Sequence, residues 1–285
     1  MRIGAHVSLS KGYEEMLAYS AEVGCECVQV FAKSPRQWHG KAIDPRAAAD
    51  FVRAREVVGI PLFTHTAYLI NLATPDEILG EKSVAALADE LERGALYGAS
   101  GVVTHLGNDP LKEMGAAATR VAQRVVEAFG RSGLAGTVTL LLENTAGAGT
   151  GFGCCPEDLG AVFDALPAEI ADSVGICIDT CHAHAYGTDL STPAAWEAYL
   201  DAYDAACGPG RVRAIHANDC LFERGSKKDR HAWIGEGHLG TESFQAMVCV
   251  SRLDEVSVLT EMPGDVPEKD TVNIERLKVL RSGCA

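Results

Sequence analysis

VGICIDTCHAHAYG (174–187) starts as a run of apolar and β-branched residues, closes on Asp179, and continues into a stretch crowded with cysteine and histidine. The first seven residues have the length and composition of a strand buried on both faces, the kind found in parallel sheets. Seven further runs of this kind occur: RIGAHV (2–7), CVQVF (27–31), PLFTHT (61–66), GVVTHLG (101–107), TVTLLLENT (137–145), VRAIHAND (212–219) and SVLTEM (257–262). Segments of helical period follow them, among them PRAAADFVRAREVVG, KEMGAAATRVAQRVVEAFG, PAAWEAYLDAYDAAC and NIERLKVLRSG; several open on Pro and several run into Gly. Eight strand and helix units predict an α/β chain folded as a (β/α)8 TIM barrel, one domain over 1–285, with its site at the C-terminal face.

Composition narrows the function classes. A chain of 285 residues with 47% hydrophobic content buries a large core. No apolar run approaches the roughly 18 residues of a membrane span, which predicts a chain without a membrane partner. MRIGAHVSLSKGYEEM has no secretory pattern, so the ten cysteines are expected to be reduced thiols of a cytoplasmic protein. The formal charge of −14 argues against a nucleic-acid partner unless carboxylates are neutralised by bound cations.

Six successive strands each place one metal-competent side chain near their C-terminal end: His65, His105, Glu143, Asp179, His216 and Glu261. The intervals of 40, 38, 36, 37 and 45 residues are each about one strand and helix unit, which puts all six around one barrel mouth. Alternation along a strand sends residues i and i−2 to one face, so Phe63, Val103, Leu141, Cys177, Ala214 and Leu259 form the layer beneath. That layer is apolar or small throughout. Cys177 therefore reads as a core cysteine, and the Cys177–Cys181 spacing matches neither a zinc ribbon nor a C-x-x-C redox motif. Asp179 and His182 lie three residues apart across an expected turn.

KKDRHAWIGEG (227–237), in the long connection after the seventh strand, offers Asp229 and His231, and His182 completes a third set. Read alone, the segment is better taken as an ordinary solvated loop; joined to the six strand-end residues, it reads as part of the site. Nine ligands exceed what one ion takes and point to two or three ions. Imidazole with carboxylate and no thiolate suits zinc, with manganese or iron as alternatives. Three divalent ions against four ligand carboxylates leave a cationic mouth, suited to a phosphodiester.

GAHVS (4–8), HTAYLINLA (65–73), LLENTAG (141–147), CIDTCHAHA (177–185) and KKDRHAWIGEG occur in one order over nearly the whole chain, which resembles the endonuclease IV family of metal-dependent abasic-site endonucleases. The resemblance implies three zinc ions, held by His65, His105 and Glu143; by Glu143, Asp179, His216 and Glu261; and by His182, Asp229 and His231. It implies zinc-activated hydrolysis of the phosphodiester 5′ to an abasic site in duplex DNA, leaving a 3′-hydroxyl and a 5′-deoxyribose phosphate. Glu143, Glu261 and His105 are assigned as catalytic positions. Arg36 in SPRQW, with Tyr68 and Leu69, are the candidate wedge residues that enter the duplex, and Lys33, Lys227, Lys228 and Arg230 the candidate phosphate contacts. Each also has an ordinary reading as a loop or rim residue. Damaged double-stranded DNA is the implied partner, and a monomer with no obligate protein partner is expected. The chain departs from the family pattern at Ser34, Ala148, Gly151, Tyr186 and Thr188, away from the nine ligand positions.

Two other classes compete. A sugar isomerase or epimerase on this barrel holds a single ion through the equivalents of Glu143, Asp179, His216 and Glu261, leaving the other five candidates unexplained. A barrel that binds without catalysis predicts a lost ligand, and none is lost. Of the remaining histidines, His6 reads as a neighbour of the site or a core residue, His184 and His238 flank ligands, and His39 reads as surface.

Overall fold

The computed structural model describes residues 1–262 and 266–284. Ten strands are present among the described residues: β1 (Arg2–His6), β2 (Val28–Phe31), β3 (Leu62–His65), β4 (Gly101–His105), β5 (Leu140–Glu143), β6 (Val174–Asp179), β7 (Val212–His216), β8 (Asp219–Cys220), β9 (His231–Ala232) and β10 (Ser257–Thr260). The eight long ones close a parallel barrel in the order β1, β10, β7, β6, β5, β4, β3, β2, while β8 and β9 form a separate antiparallel ribbon. All eight expected strands are present, and the chain folds as the TIM barrel that they predict. Among the described residues no helix is long and apolar enough to cross a membrane.

The helices are α1 (Tyr13–Glu22), α2 (Pro45–Val58), α3 (Glu77–Leu96), α4 (Met114–Ser132), α5 (Pro156–Ala165), α6 (Ala168–Ala171), α7 (Thr180–Tyr186), α8 (Pro193–Cys207), α9 (Gly240–Val248) and α10 (Pro267–Ser282). Their starts carry local signals. Asp44 accepts from Arg46 N ahead of α2, Asp76 from Ile78 N and Leu79 N ahead of α3, and Thr192 from Ala195 N ahead of α8. Gly59 ends α2 at φ 74°, a left-handed conformation that a side chain resists.

Register staggers the strand ends. His105 lies opposite Glu143, and Asp179 opposite His216, but His65 pairs with Val103, Glu143 with Cys177 and His216 with Leu259. The polar layer therefore climbs by two residues at three of the strand junctions, as the shear of a closed barrel requires. Beneath it, Phe63, Val103, Leu141, Cys177, Ala214 and Leu259 pack with Cys27 into a cluster of their own, which is the apolar floor expected from strand alternation.

Three expectations are corrected. The stretch after Asp179 is a helix, α7, and not a turn; Asp179 caps it by accepting a hydrogen bond from His182 N at 2.7 Å. The last helix begins at Pro267, ahead of the expected start at Asn273. Cys249 and Cys284 form a disulfide instead of standing as reduced thiols, because α10 packs on α9 and brings their Cα atoms to 5.3 Å. The other eight cysteines are free.

The closest approach in the barrel wall falls at Gly4 on β1, where a Cβ would stand 1.7 Å from the Cys27 carbonyl oxygen. Backbone occupies that space and cannot swing aside as a side chain would. Gly4→Ala is therefore expected to destabilise the fold by about 3 kcal/mol or more, on the order of 10 °C in Tm. A thermal melt checks this; a shift within experimental scatter would remove the close β1 to β2 approach.

Candidate metal centre

The staggered register delivers the six strand-end side chains to one point. Glu143 is the centre: its Oε2 lies 3.1 Å from His65 Nε2 and 3.6 Å from His105 Nε2, and its Oε1 3.2 Å from His216 Nδ1 and 3.4 Å from His182 Nδ1. Glu261 Oε2 approaches His216 Nδ1 at 3.3 Å. Donor atoms converge in three sets, each within 4.8 Å: His65, His105 and Glu143; Glu143, Asp179, His216 and Glu261; and His182, Asp229 and His231. A fourth combination joins Asp179 and His231 to the buried thiol of Cys181.

The third set depends on the connection between β7 and α9. The β8–β9 ribbon folds this segment back on itself, pairing Cys220 with His231. Asp219 holds the turn: its carboxylate accepts from the backbone N–H groups of Cys220, Gly235, Gly237 and Leu239 at 2.8 to 3.0 Å. A Cβ on Gly237 would stand 2.4 Å from Asp219 Oδ1, so the glycine permits that approach. Asp229 then reaches His182 Nε2 at 3.2 Å and His231 Nε2 at 3.2 Å.

Backbone carbonyls fix which ring nitrogen faces the cluster. Nδ1 of His65 donates to Thr66 O at 2.9 Å, that of His182 to Asn144 O at 2.8 Å, and that of His231 to Glu261 O at 3.0 Å. Each proton is thereby held on Nδ1, and Nε2 points at carboxylate oxygens. His216 is reversed, with Nε2 donating to Gln29 Oε1 at 2.9 Å and Nδ1 facing Glu143 and Glu261. Nitrogens oriented in this way and set against carboxylates are the arrangement of metal-binding histidines, whose far nitrogen is tied to a carbonyl or amide.

The charge balance points the same way. Burial opposes ionisation of Glu143, yet His105 and His216 hold its pKa well below the ordinary carboxyl value. Burial likewise opposes charge on His182, but Asp179 and Asp229 raise its pKa well above that of a free imidazole. His231 is carried up to about 9 against burial by its contact with Asp229. His105, where burial dominates, falls to about 4. The pocket thus stabilises positive charge among buried carboxylates. Nε2 of His231 is buried without a hydrogen bond, and with the proton on Nδ1 it carries a lone pair facing Asp229 Oδ1 at 3.2 Å, which a cation between them would satisfy. The residues present fit divalent metal.

The comparisons with known proteins agree with this geometry. A family model described as xylose isomerase-like TIM barrel matches residues 17–282. A protein of Chloroflexus aurantiacus named probable endonuclease 4 is 38% identical over 284 residues, covering 99% of each chain. The crystal structure of endonuclease IV from Thermus thermophilus superposes with a TM-score of 0.86 at 34% identity, covering 99% of each chain. This chain belongs to the endonuclease IV family. A D-tagatose 3-epimerase-like protein also superposes, with TM-score 0.71 over 99% of each chain, but at 18% identity it shares the fold alone.

Of the residues expected to meet DNA, Lys33 and Tyr68 line the same mouth. A cleft of about 750 Å³ is lined by His6, Ser34, Pro35, Tyr68, His105 and Asp229 among others. Tyr68 is 61% exposed, stacked edge-on to Phe31, and Leu69 beside it is half-buried. Arg36 and Arg230 are exposed. Lys227 stands over the ring of Tyr186 and Lys228 over that of Phe222. Lys33 also lines the cleft, but its ammonium is buried and paired internally, 2.7 Å from Asp89 and 3.4 Å from Glu90. His39 is exposed as expected, His184 bonds the Phe222 carbonyl, and His238 pairs with Glu223.

Sequence reasoning missed the amides that hold the carboxylates. Gln29 donates to Glu261 Oε1 at 2.7 Å, and Asn218 donates to Asp179 Oδ2 at 2.7 Å and Glu261 Oε2 at 3.2 Å while accepting from Glu261 N. Strand alternation offered the signal, since Gln29 lies two residues beyond Cys27 of the floor and His6 is its partner on β1. His6 belongs to the site, 3.6 Å from Glu261 and 2.9 Å from Gln29. Asn218→Ala leaves the Asp179 and Glu261 carboxylates without their amide and should weaken divalent-metal retention about ten- to a hundredfold with the fold kept. Competition against a chelator measures this; unchanged retention would make Asn218 dispensable to the centre.

Proposed function

We propose that this chain is a DNA repair endonuclease that hydrolyses the phosphodiester 5′ to an abasic site in duplex DNA, leaving a 3′-hydroxyl and a 5′-deoxyribose phosphate. The observation that carries the reading is the convergence of nine His, Asp and Glu side chains, in three sets, at a single barrel mouth. His65, His105 and Glu143 would hold one zinc ion, Glu143, Asp179, His216 and Glu261 a second, and His182, Asp229 and His231 a third. Bound divalent ions supply Lewis acidity toward the phosphate, activation of water and neutralisation of the departing oxygen.

The protein's own contribution is placement. Glu143 joins the two histidine groups, since its two oxygens face different sets. Gln29, Asn218 and His6 fix the Glu261 carboxylate, and Asn144 fixes Asp179 by accepting from its N–H at 2.6 Å. Tyr68 and Leu69 on one loop and Arg36 on its neighbour stand where a bent duplex would be entered, so that the abasic nucleotide turns into the cleft. Arg230, Lys227 and Lys228 are positioned for phosphates on the far side. The substrate is thus DNA, the reading is that of a monomer, and the compartment is the cytoplasm.

A single-ion sugar isomerase would use Glu143, Asp179, His216 and Glu261 and leave five converging donors idle. The deciding experiment offers a labelled duplex with one abasic site to the zinc-loaded and the chelator-stripped protein. Cleavage is expected only with metal, giving a 3′ end that a polymerase extends untrimmed, and about three ions per chain are expected by elemental analysis. One ion per chain with epimerase activity on a monosaccharide would overturn the proposal. His182→Ala should cut kcat by about a hundredfold or more with Tm little changed; full activity in that variant would remove the third donor set from the reaction.

A further inference from the structure

Two loops carry the candidate wedge residues, 32–44 with Arg36 and 66–70 with Tyr68 and Leu69. They come from different strands, β2 and β3, and both lean on α3. Glu90 of α3 is fully buried, and its Oε1 accepts from Ala67 N at 3.1 Å while lying 3.4 Å from the Lys33 ammonium. Lys33 also contacts Asp89 at 2.7 Å and donates to the Trp38 carbonyl at 3.0 Å. Arg93, one helical turn on, binds both oxygens of Asp89 at 3.0 Å and donates to the Lys41 carbonyl at 3.0 Å. Between these two cations the loop passes so closely that a Cβ on Gly40 would stand 2.8 Å from the Arg93 guanidinium and 2.9 Å from Lys33 Cβ. The loops touch each other once through the backbone, Tyr68 N donating to Pro35 O at 3.0 Å.

A buried ion cluster of this kind is weak evidence for stability, because desolvation offsets much of the attraction. Its geometry instead answers a positioning need. Two loops of ordinary mobility cannot hold an inserted arginine and an inserted tyrosine at a fixed spacing, whereas loops clamped at residues 33, 41 and 67 to one rigid helix can. We propose that Glu90, with Asp89 and Lys33, acts as the positioning hub that locks the two loops into the spacing needed to enter an abasic duplex. The inference rests on the nuclease reading for its purpose, but the clamp itself stands on the contacts above. Lys33 thereby changes role, from phosphate contact to the internal cation of the clamp.

Glu90→Gln keeps an acceptor for Ala67 N and removes the charge facing Lys33; Asp89→Asn/Glu90→Gln removes both charges. Each variant is loaded with zinc and compared with the parent on an abasic duplex and on a small activated phosphodiester, which needs the metal centre but no wedge. Bound zinc and small-diester hydrolysis should stay within about twofold of the parent. KM for the abasic duplex should rise about tenfold with kcat little changed, because misplaced positioning groups cost transition-state access without touching the reacting atoms. In an Arg36→Ala/Tyr68→Ala background the KM effect of Glu90→Gln should vanish, since the clamp acts through those side chains. Amide exchange should quicken at 34–41 and 67–70 alone.

An unchanged KM, an effect fully additive with the wedge variants, or small-diester hydrolysis and melting temperature falling in step with DNA cleavage would each overturn the hub. Should the parent chain fail to cut abasic DNA at all, the function reading falls, and amide exchange alone decides the clamp: unchanged exchange in the two loops of the double variant rejects it.

Discussion

Glu143 is a carboxylate with almost no access to water, and four histidine rings stand within 3.6 Å of it. An isolated charge in that position would cost several kcal/mol after every relaxation a protein can make. The rest of the mouth follows from answering that cost. Imidazoles must approach, their far nitrogens must be tied so that the near ones aim inward, and the floor must be dry and rigid so that no side chain swings away. The backbone carbonyls of Thr66, Asn144 and Glu261 hold Nδ1 of His65, His182 and His231, and each belongs to a segment that also carries a site residue. Ligand and support are thus parts of the same few strand ends, which makes the arrangement resistant to loop motion.

The second requirement concerns the segment that is not built on a strand of the barrel. Asp229 and His231 lie in a long connection and would wander without internal structure. The Asp219 carboxylate gathers four backbone donors from both arms of that connection, and the β8–β9 ribbon closes it. One buried anion in the second arm of the site thus serves the backbone directly, whereas Asp179 serves both backbone and cluster by capping α7. That cap explains how His182 enters the mouth: its N–H is held by Asp179 Oδ1, so the first turn of the helix and the last residue of β6 are locked together.

Much of this was legible because parallel barrel strands announce themselves as apolar runs and because strand alternation is arithmetic. Phe63, Val103, Leu141, Cys177, Ala214 and Leu259 fell where the i and i−2 rule placed them. The same rule carried to β1 and β2 reaches His6 and Gln29, but an uncharged amide such as Gln29 carries no ligand signal of its own in the sequence. The helix after Asp179 was missed because seven residues rich in Cys and His carry little helical propensity, and the cap that starts it is itself a strand residue. Lys33 was misread for a plainer reason. A lysine in a loop is a solvated cation until the fold supplies buried carboxylates, and Asp89 and Glu90 come from a helix some fifty residues on. The Cys249–Cys284 pair was illegible because it depends on where α10 docks.

An acidic chain that acts on a polyanion is less of a contradiction than its net charge makes it. Four of its carboxylates lie in the metal-competent sets, and others are paired internally, as Asp89 is with Lys33 and Arg93, or held by backbone donors, as Asp219 is. The cations Arg36, Lys227, Lys228 and Arg230 are meanwhile exposed on loops around the mouth. With a Debye length of about 8 Å at physiological salt, a phosphate arriving at that rim responds to the nearest loops far more than to acidic side chains on the outer helices. Local charge at the C-terminal face therefore governs what can approach, and the family's chemistry needs no basic protein to carry it.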